Sequence, residues 1–138
     1  MQIKRTAVAQ WQGTGKEGNG SLTSQSTVLN KSQYSYGTRF EDGIGTNPEE
    51  LIAAAHAGCF SMKLAFNLHA AGITPDNIET SCAIILEEGS ITESNLETKV
   101  KAQGLTNEKL QELVKDAEIN CPISKLLTAK ISVVATLI

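Results

Sequence analysis

Two cysteines are the residues of this chain best suited to chemistry. Cys59 lies inside Pro48-Glu49-Glu50-Leu51-Ile52-Ala53-Ala54-Ala55-His56-Ala57-Gly58-Cys59-Phe60-Ser61-Met62, and Cys121 inside Asn120-Cys121-Pro122-Ile123-Ser124. A thiol reacts as its thiolate, and with an unperturbed pKa of about 8.5 it needs a neighbouring positive charge or a helix N-terminus to be a useful nucleophile near neutral pH. Cys59 falls about three turns inside a predicted helix, beyond the reach of the dipole at its start. Its cation must come from elsewhere: His56 one turn earlier, Lys63 one turn later, or Arg39, expected at the end of a strand just before the helix. Arg39 is the better chemical choice, because a guanidinium keeps its charge and can also donate hydrogen bonds to a substrate oxygen. Cys121 directly precedes Pro122 and is expected to be the N-cap of a short helix, where backbone N–H groups favour a thiolate. With 61 residues between the two cysteines, any pairing is tertiary. Redox chemistry is one reading of these residues; two buried cysteines serving as small hydrophobes is the other.

Composition narrows the field. A chain of 138 residues is the size of one ordinary domain, and 41% apolar with 20% charged residues describes a soluble globular protein. The formal charge of −3 and the scattered basic residues argue against a nucleic-acid partner. Met1-Gln2-Ile3-Lys4-Arg5 is followed by no apolar h-region, and His56 and Lys63 interrupt the longest apolar stretch. Secretion and membrane spanning are therefore not expected, and a cytoplasmic location is. Three cysteines are too few for a disulfide scaffold. Zinc on Cys59, Cys82, Cys121, His56 and His69 is the rival, but no Cys-x-x-Cys or His-x-x-x-His supplies a local pair of ligands.

The elements that position the cysteines follow from patterning. Residues 2–11 read as a strand with Ile3, Ala7, Ala9 and Trp11 on one face, residues 13–20 as a glycine-rich turn, and 21–29 and 33–40 as two further strands. Asn47 as N-cap, Pro48 at the first helical position and Glu50 closing a capping box start a helix that runs to about Ala71, where Gly72 ends it. Strands over 78–87 and 91–103 meet near Glu88-Gly89-Ser90, and the second alternates Leu96, Thr98, Val100 and Ala102 against charged and polar neighbours. Residues 107–119 form an amphipathic helix with Leu110, Leu113, Val114 and Ala117 on one side. A short helix from Pro122 to about Leu127 and a strand over 130–138 complete an α+β fold of mostly antiparallel sheets around a long central helix.

From Leu51 to Met62 nearly every residue is apolar or small, so this helix is expected to be covered on all sides. A second copy of the chain, approaching along the Ala- and Gly-rich face, would provide that cover, and C2 homodimers are the commonest oligomers. A monomer that buries the helix between its own two sheets is the alternative.

Thr38-Arg39-Phe40-Glu41, the run from Gly45 to Met62 and Asn120-Cys121-Pro122-Ile123-Ser124 resemble the OsmC/Ohr family of thiol-dependent peroxidases, in the right order over essentially the whole chain. The arginine of Thr-Arg-Phe makes the sequence most similar to the OsmC branch. In the Ohr branch the arginine lies in the N-terminal strand region, where this chain has Gly18-Asn19. The resemblance implies a single OsmC-like domain over 1–138 that forms an intertwined homodimer with sites at the subunit interface. It implies that Cys59 is a peroxidatic cysteine, oxidised to a sulfenic acid by organic hydroperoxides or hydrogen peroxide, and that Cys121 resolves it as an intramolecular disulfide. Arg39 would steady the thiolate and the leaving oxygen, and Glu49 would orient Arg39. An external dithiol, lipoyl-type in particular, would recycle the pair, with no metal or bound cofactor.

Geometry bears on that transfer. Ten residues of continuous helix separate Glu49 from Cys59 by about 15 Å. Either the helix is interrupted between them, or Arg39 and Glu49 act from the other subunit. Glu49 also reads as a plain helix-start carboxylate, and Glu50 as a structural one. Phe60, Met62, Phe66 and His56 are candidates for an apolar substrate pocket, though core packing accounts for Phe60, Met62 and Phe66 equally and His56 reads more readily as a packed core or interface histidine. Cys82, in a predicted strand, reads as core. A stress-related dimer that binds a ligand or metal through structural or ligating cysteines, without catalysis, is the competing function.

Overall fold

The computed structural model describes all residues, Met1 to Ile138. The chain divides into two compact units, Met1–Leu51 and Ile52–Ile138. The first holds an antiparallel meander of β1 (Ala7–Gln12), β2 (Asn19–Ser24) and β3 (Ser32–Tyr34), followed by the short helix α1 (Tyr36–Phe40). β1 begins later than the alternation suggests: its ladder opens at Ala7 opposite Ser24, so residues 2–6 have no strand to pair with. β2 stops at Ser24 because serine hydroxyls capture the backbone beyond it; Ser24 Oγ accepts from the Leu29 amide and Ser26 Oγ from the Val28 amide. The expected strand over 33–40 survives only as β3. Ser35 converts the remainder to helix: its hydroxyl accepts from the Thr38 amide, and the Thr38 hydroxyl accepts from the Ser35 amide in a reciprocal capping box.

Helix α2 (Pro48–Ala70) starts as its sequence indicates, with Asn47 Oδ1 accepting from the Glu50 amide at 2.8 Å. The Glu50 carboxylate, however, takes the Thr46 hydroxyl instead of closing a box on Asn47. The helix ends in a Schellman motif: the Gly72 amide donates to the His69 carbonyl and the Ile73 amide to the Leu68 carbonyl, with Gly72 at φ +78°.

In the second unit β4 (Pro75–Glu87), β5 (Ser90–Ala102) and β6 (Lys130–Leu137) form a sheet with β5 in the centre. A two-residue turn, Glu88 and Gly89, both at positive φ, joins β4 to β5 as a hairpin. β6 runs parallel to β5, the one parallel ladder among the four. The crossover that a parallel pair requires is supplied by α3 (Asn107–Asn120) and α4 (Pro122–Leu126).

The core lies in this unit. α2 gives it Phe60, Leu64 and Leu68, β5 gives Leu96 and Val100, and α3 gives Leu110, Val114 and Ala117. Within one chain α2 is covered along a single stripe, His56, Phe60, Leu64 and Leu68, and not on all sides. A second stripe at the same four-residue spacing, Ala54, Gly58, Met62 and Phe66, is exposed. A single sheet can reach only one face of a helix, so the remaining cover that the composition calls for is not supplied by this unit.

Gly72→Ala tests the α2 terminus. No atom crowds a Cβ there, so the whole cost is that of left-handed backbone in an L residue. We expect a loss of about 1 kcal/mol in urea unfolding with an unchanged circular dichroism spectrum.

Candidate active site

Within the first unit, Arg39 occupies the last turn of α1 and not the end of a strand. Its Nε donates to Glu49 Oε1 at 2.8 Å, and its Nη2 lies 2.8 Å from the same oxygen in the ion pair. The Asn47 side chain donates to the Thr38 carbonyl, tying the start of α2 to α1. The turn between them needs glycine at Gly45, which has φ +134° and where a Cβ would stand 2.4 Å from the Gln33 carbonyl oxygen. Glu49 Oε2 is buried and has no hydrogen-bond partner. The guanidinium itself is partly open to solvent and lies over the Phe40 ring, 5.2 Å from its centroid. The result is a fixed arginine with unused donor capacity.

Within the second unit, α2 carries Cys59 and the junction of α3 and α4 carries Cys121. Cys121 is at once the C-cap of α3 and the N-cap of α4, as Pro122 at the first helical position dictates. Its side chain is fully buried; Cys59 is half-buried; both are free thiols. They are close enough to perturb one another. Burial pushes the Cys59 thiol above its ordinary pKa and the neighbouring Cys121 thiol pushes the same way, while the Ile123 backbone in α4 pulls it down. Sixty-one intervening residues are thus bridged, and the sulfurs meet on an apolar surface where no cation of this unit favours the thiolate.

Two of the candidate cations are committed elsewhere. Lys63 pairs with Asp116 at 3.7 Å. His56 is fully buried, and burial lowers its pKa, so the ring is neutral. Its Nδ1 is 2.6 Å from Ser94 Oγ and its Nε2 is 2.8 Å from Ser124 Oγ. With both nitrogens taken, the ring has no lone pair left for a metal, and no group of three or more His, Cys, Asp or Glu side chains is arranged to hold one. Cys82, half-buried against the core, meets the other side of Ser94 at 3.2 Å. His69 is exposed in the last turn of α2.

The residues proposed for a substrate pocket are placed apart: Phe60 and His56 are buried on one stripe of α2, Met62 and Phe66 exposed on the other. Ser94 and Ser124 are the partners that sequence reasoning missed. Ser94 continues the inward parity of Leu96, Thr98 and Val100 on β5, so a polar residue there signals a buried acceptor or donor. Ser124 is three residues past Cys121, as His56 is three before Cys59.

Comparison with known proteins fits this arrangement. Residues 41–136 match the family described as OsmC-like protein. The chain belongs to the OsmC-like family. Peroxiredoxin OsmC of Escherichia coli (strain K12) is 40% identical to it over 136 residues, covering 96% of this chain and 95% of that protein. The organic hydroperoxide resistance protein OhrB of Bacillus subtilis (strain 168) is 32% identical over 116 residues, covering 83% of this chain and 85% of that protein. The crystal structure of OhrB from Bacillus subtilis superposes with a TM-score of 0.64 at 29% identity, covering 96% of this chain and 98% of that one. An OsmC-like protein from Mycoplasma pneumoniae reaches 0.74 at 16% identity, covering 100% and 99%, a likeness of fold. The α+β architecture with its long helix α2 is the fold of this OsmC-like family.

Burial of neutral His56 gives the family member a pH-dependent stability. Its folded pKa is below the ordinary 6.5, so on acidification through that value the unfolded chain takes up a proton that the folded one refuses. The urea midpoint should therefore fall between pH 7.5 and pH 5.5, and His56→Gln should flatten that part of the profile.

Proposed function

We propose that this OsmC-like protein is a thiol-dependent peroxidase that reduces organic hydroperoxides, and hydrogen peroxide, through Cys59 and Cys121. The observation that carries the reading is the meeting of these two thiols, one half-buried and one buried, in a chain 40% identical to a peroxiredoxin and related to organic hydroperoxide resistance proteins.

The Cys59 thiolate attacks one peroxide oxygen. An S–O bond forms, the O–O bond breaks, and the departing alkoxide takes a proton to leave as an alcohol, or as water from hydrogen peroxide. Cys121 then attacks the sulfenic sulfur; an S–S bond forms, the S–O bond breaks, and the hydroxyl leaves as water. Two electrons from an external dithiol, lipoyl-type in our reading, restore both thiols. No prosthetic group takes part, and the protein works in the cytoplasm.

Arg39 supplies the positive charge that Cys59 lacks in its own unit, lowering the thiolate's energy and receiving charge as the O–O bond breaks, and Glu49 aims it. Both act from the partner subunit. Support comes from the course of α2 as one helix over Pro48–Ala70, and from the exposed stripe Ala54, Gly58, Met62 and Phe66, whose small and apolar residues suit close approach by a second copy. In that homodimer Met62 and Phe66 border the substrate pocket and favour organic over inorganic peroxide.

One equivalent of an organic hydroperoxide should remove two hydrogens from the intact mass, mapped to a Cys59–Cys121 peptide under non-reducing conditions. Unchanged thiols or a bound metal ion would instead favour the non-catalytic dimer. Mixing equal amounts of Cys59→Ser and Arg39→Ala subunits should recover about a quarter of the activity, since half of the dimers are then mixed and each carries one intact site of two under the shared-site arrangement. Recovery of none would place Arg39 and Cys59 of one chain together.

A further inference from the structure

Cys59 and Cys121 are joined by a parallel contact that no step above uses. His56 precedes Cys59 by three residues on α2, and Ser124 follows Cys121 by three on α4, so each pair projects from one side of its helix turn. His56 Nε2 and Ser124 Oγ are 2.8 Å apart, each about one helical turn along the chain from its cysteine. The imidazole is held from behind by Ser94 on β5 at 2.6 Å, and Ser94 by Cys82 on β4 at 3.2 Å. His56, Ser94 and Ser124 are all buried. A neutral ring donates through one nitrogen and accepts through the other, so the two hydroxyls satisfy it completely in either tautomer and leave it no freedom to turn.

We propose that His56 and Ser124 are positioning residues for the disulfide-forming half-reaction, a hydrogen-bonded strut that sets the gap between α2 and α4 so that Cys121 can reach the oxidised Cys59. The inference rests on the Cys59–Cys121 cycle proposed above.

The need for such a strut follows from α4. It has five residues, too few to hold its own conformation; beyond its junction with α3 at the buried Cys121, it is tied to the body of the unit by Ser124 through His56 and by the packing of Ile123. Disulfide geometry is narrow: the sulfurs close to about 2.05 Å and the Cα atoms to roughly 5.5–6 Å. An α4 free to drift by about 1 Å would still let peroxide reach the half-buried Cys59 but would miss the attack geometry for Cys121. The chemistry of that step is unaltered: the Cys121 sulfur bonds to the sulfenic sulfur, and the hydroxyl departs with the Cys121 proton as water.

Rapid mixing of Ser124→Ala protein with one equivalent of cumene hydroperoxide, quenched at intervals with dimedone and read by intact mass, separates the two steps. We expect loss of free Cys59 to slow by no more than about threefold, disulfide formation to slow by about tenfold or more with the dimedone adduct accumulating, and Ser124→Thr to restore the disulfide rate to within about threefold. Ser94→Ala, which frees the other ring nitrogen, should act in the same direction and serves if Ser124→Ala does not fold. Disulfide formation at the parental rate in a folded variant, or an equal slowing of both steps, overturns the strut. If the parental protein itself forms no Cys59–Cys121 bond under these conditions, the reaction cycle falls first, and the inference with it.

Discussion

Helix α2 can bury only the stripe that its own sheet reaches, and the rest of the second unit is arranged around that constraint. Phe60, Leu64 and Leu68 go under β5 and α3, each contributing on the order of 1.5–3 kcal/mol of burial. Rotation of the helix is thereby fixed. Cys59, next in sequence to Phe60, is left at the margin of the buried stripe, half in the core and half out, which is the position a group needs if it is to be both shielded and reachable. The same rotation turns Gly58, Met62 and Phe66 outward, so the seating of one apolar stripe decides both where the thiol lies and which face of the helix is left exposed.

A polar seam crosses this apolar core. The first turn of the buried stripe is a histidine, and two serines, Ser94 and Ser124, are buried with it and bonded to its ring. Left unpaired, each would cost about 1–3 kcal/mol; as a connected network they are close to neutral in energy but demanding in geometry. Hydrocarbon packing tolerates sliding, whereas a histidine between two hydroxyls does not. The seam therefore gives directional register to the part of the core that carries the sulfurs, and the Ser61–Thr80–Thr98 chain repeats the device between α2 and the hairpin.

Much of this was legible in the sequence because it depends on local signals. Asn47-Pro48 and Gly72 bound α2, Glu88-Gly89 turns the hairpin, and the spacing of Leu110, Val114 and Ala117 gives α3 its face. What was not legible depends on partners. Ser35 and Thr38 form a capping box too short to register against an alternating pattern, so the pattern points to a strand at Arg39 where the structure has α1. The parallel course of β6 is decided by the α3–α4 crossover, which its own residues do not encode. His56 was visible as a buried histidine, but Ser94 lies 38 positions away and Ser124 lies 68, and nothing in their local sequence says that they share a ring.

The unequal burial of the two thiols has a consequence for the direction of the return reaction. Cys121 is fully buried at the junction of two helices with no linker around it, while Cys59 is half-buried. In the proposed cycle an incoming thiol would reach a disulfide between them more readily at Cys59, with Cys121 as the leaving group of the exchange. The mixed adduct with the reductant would then form on the long helix, a regiochemistry set by the burial of Cys121 alone.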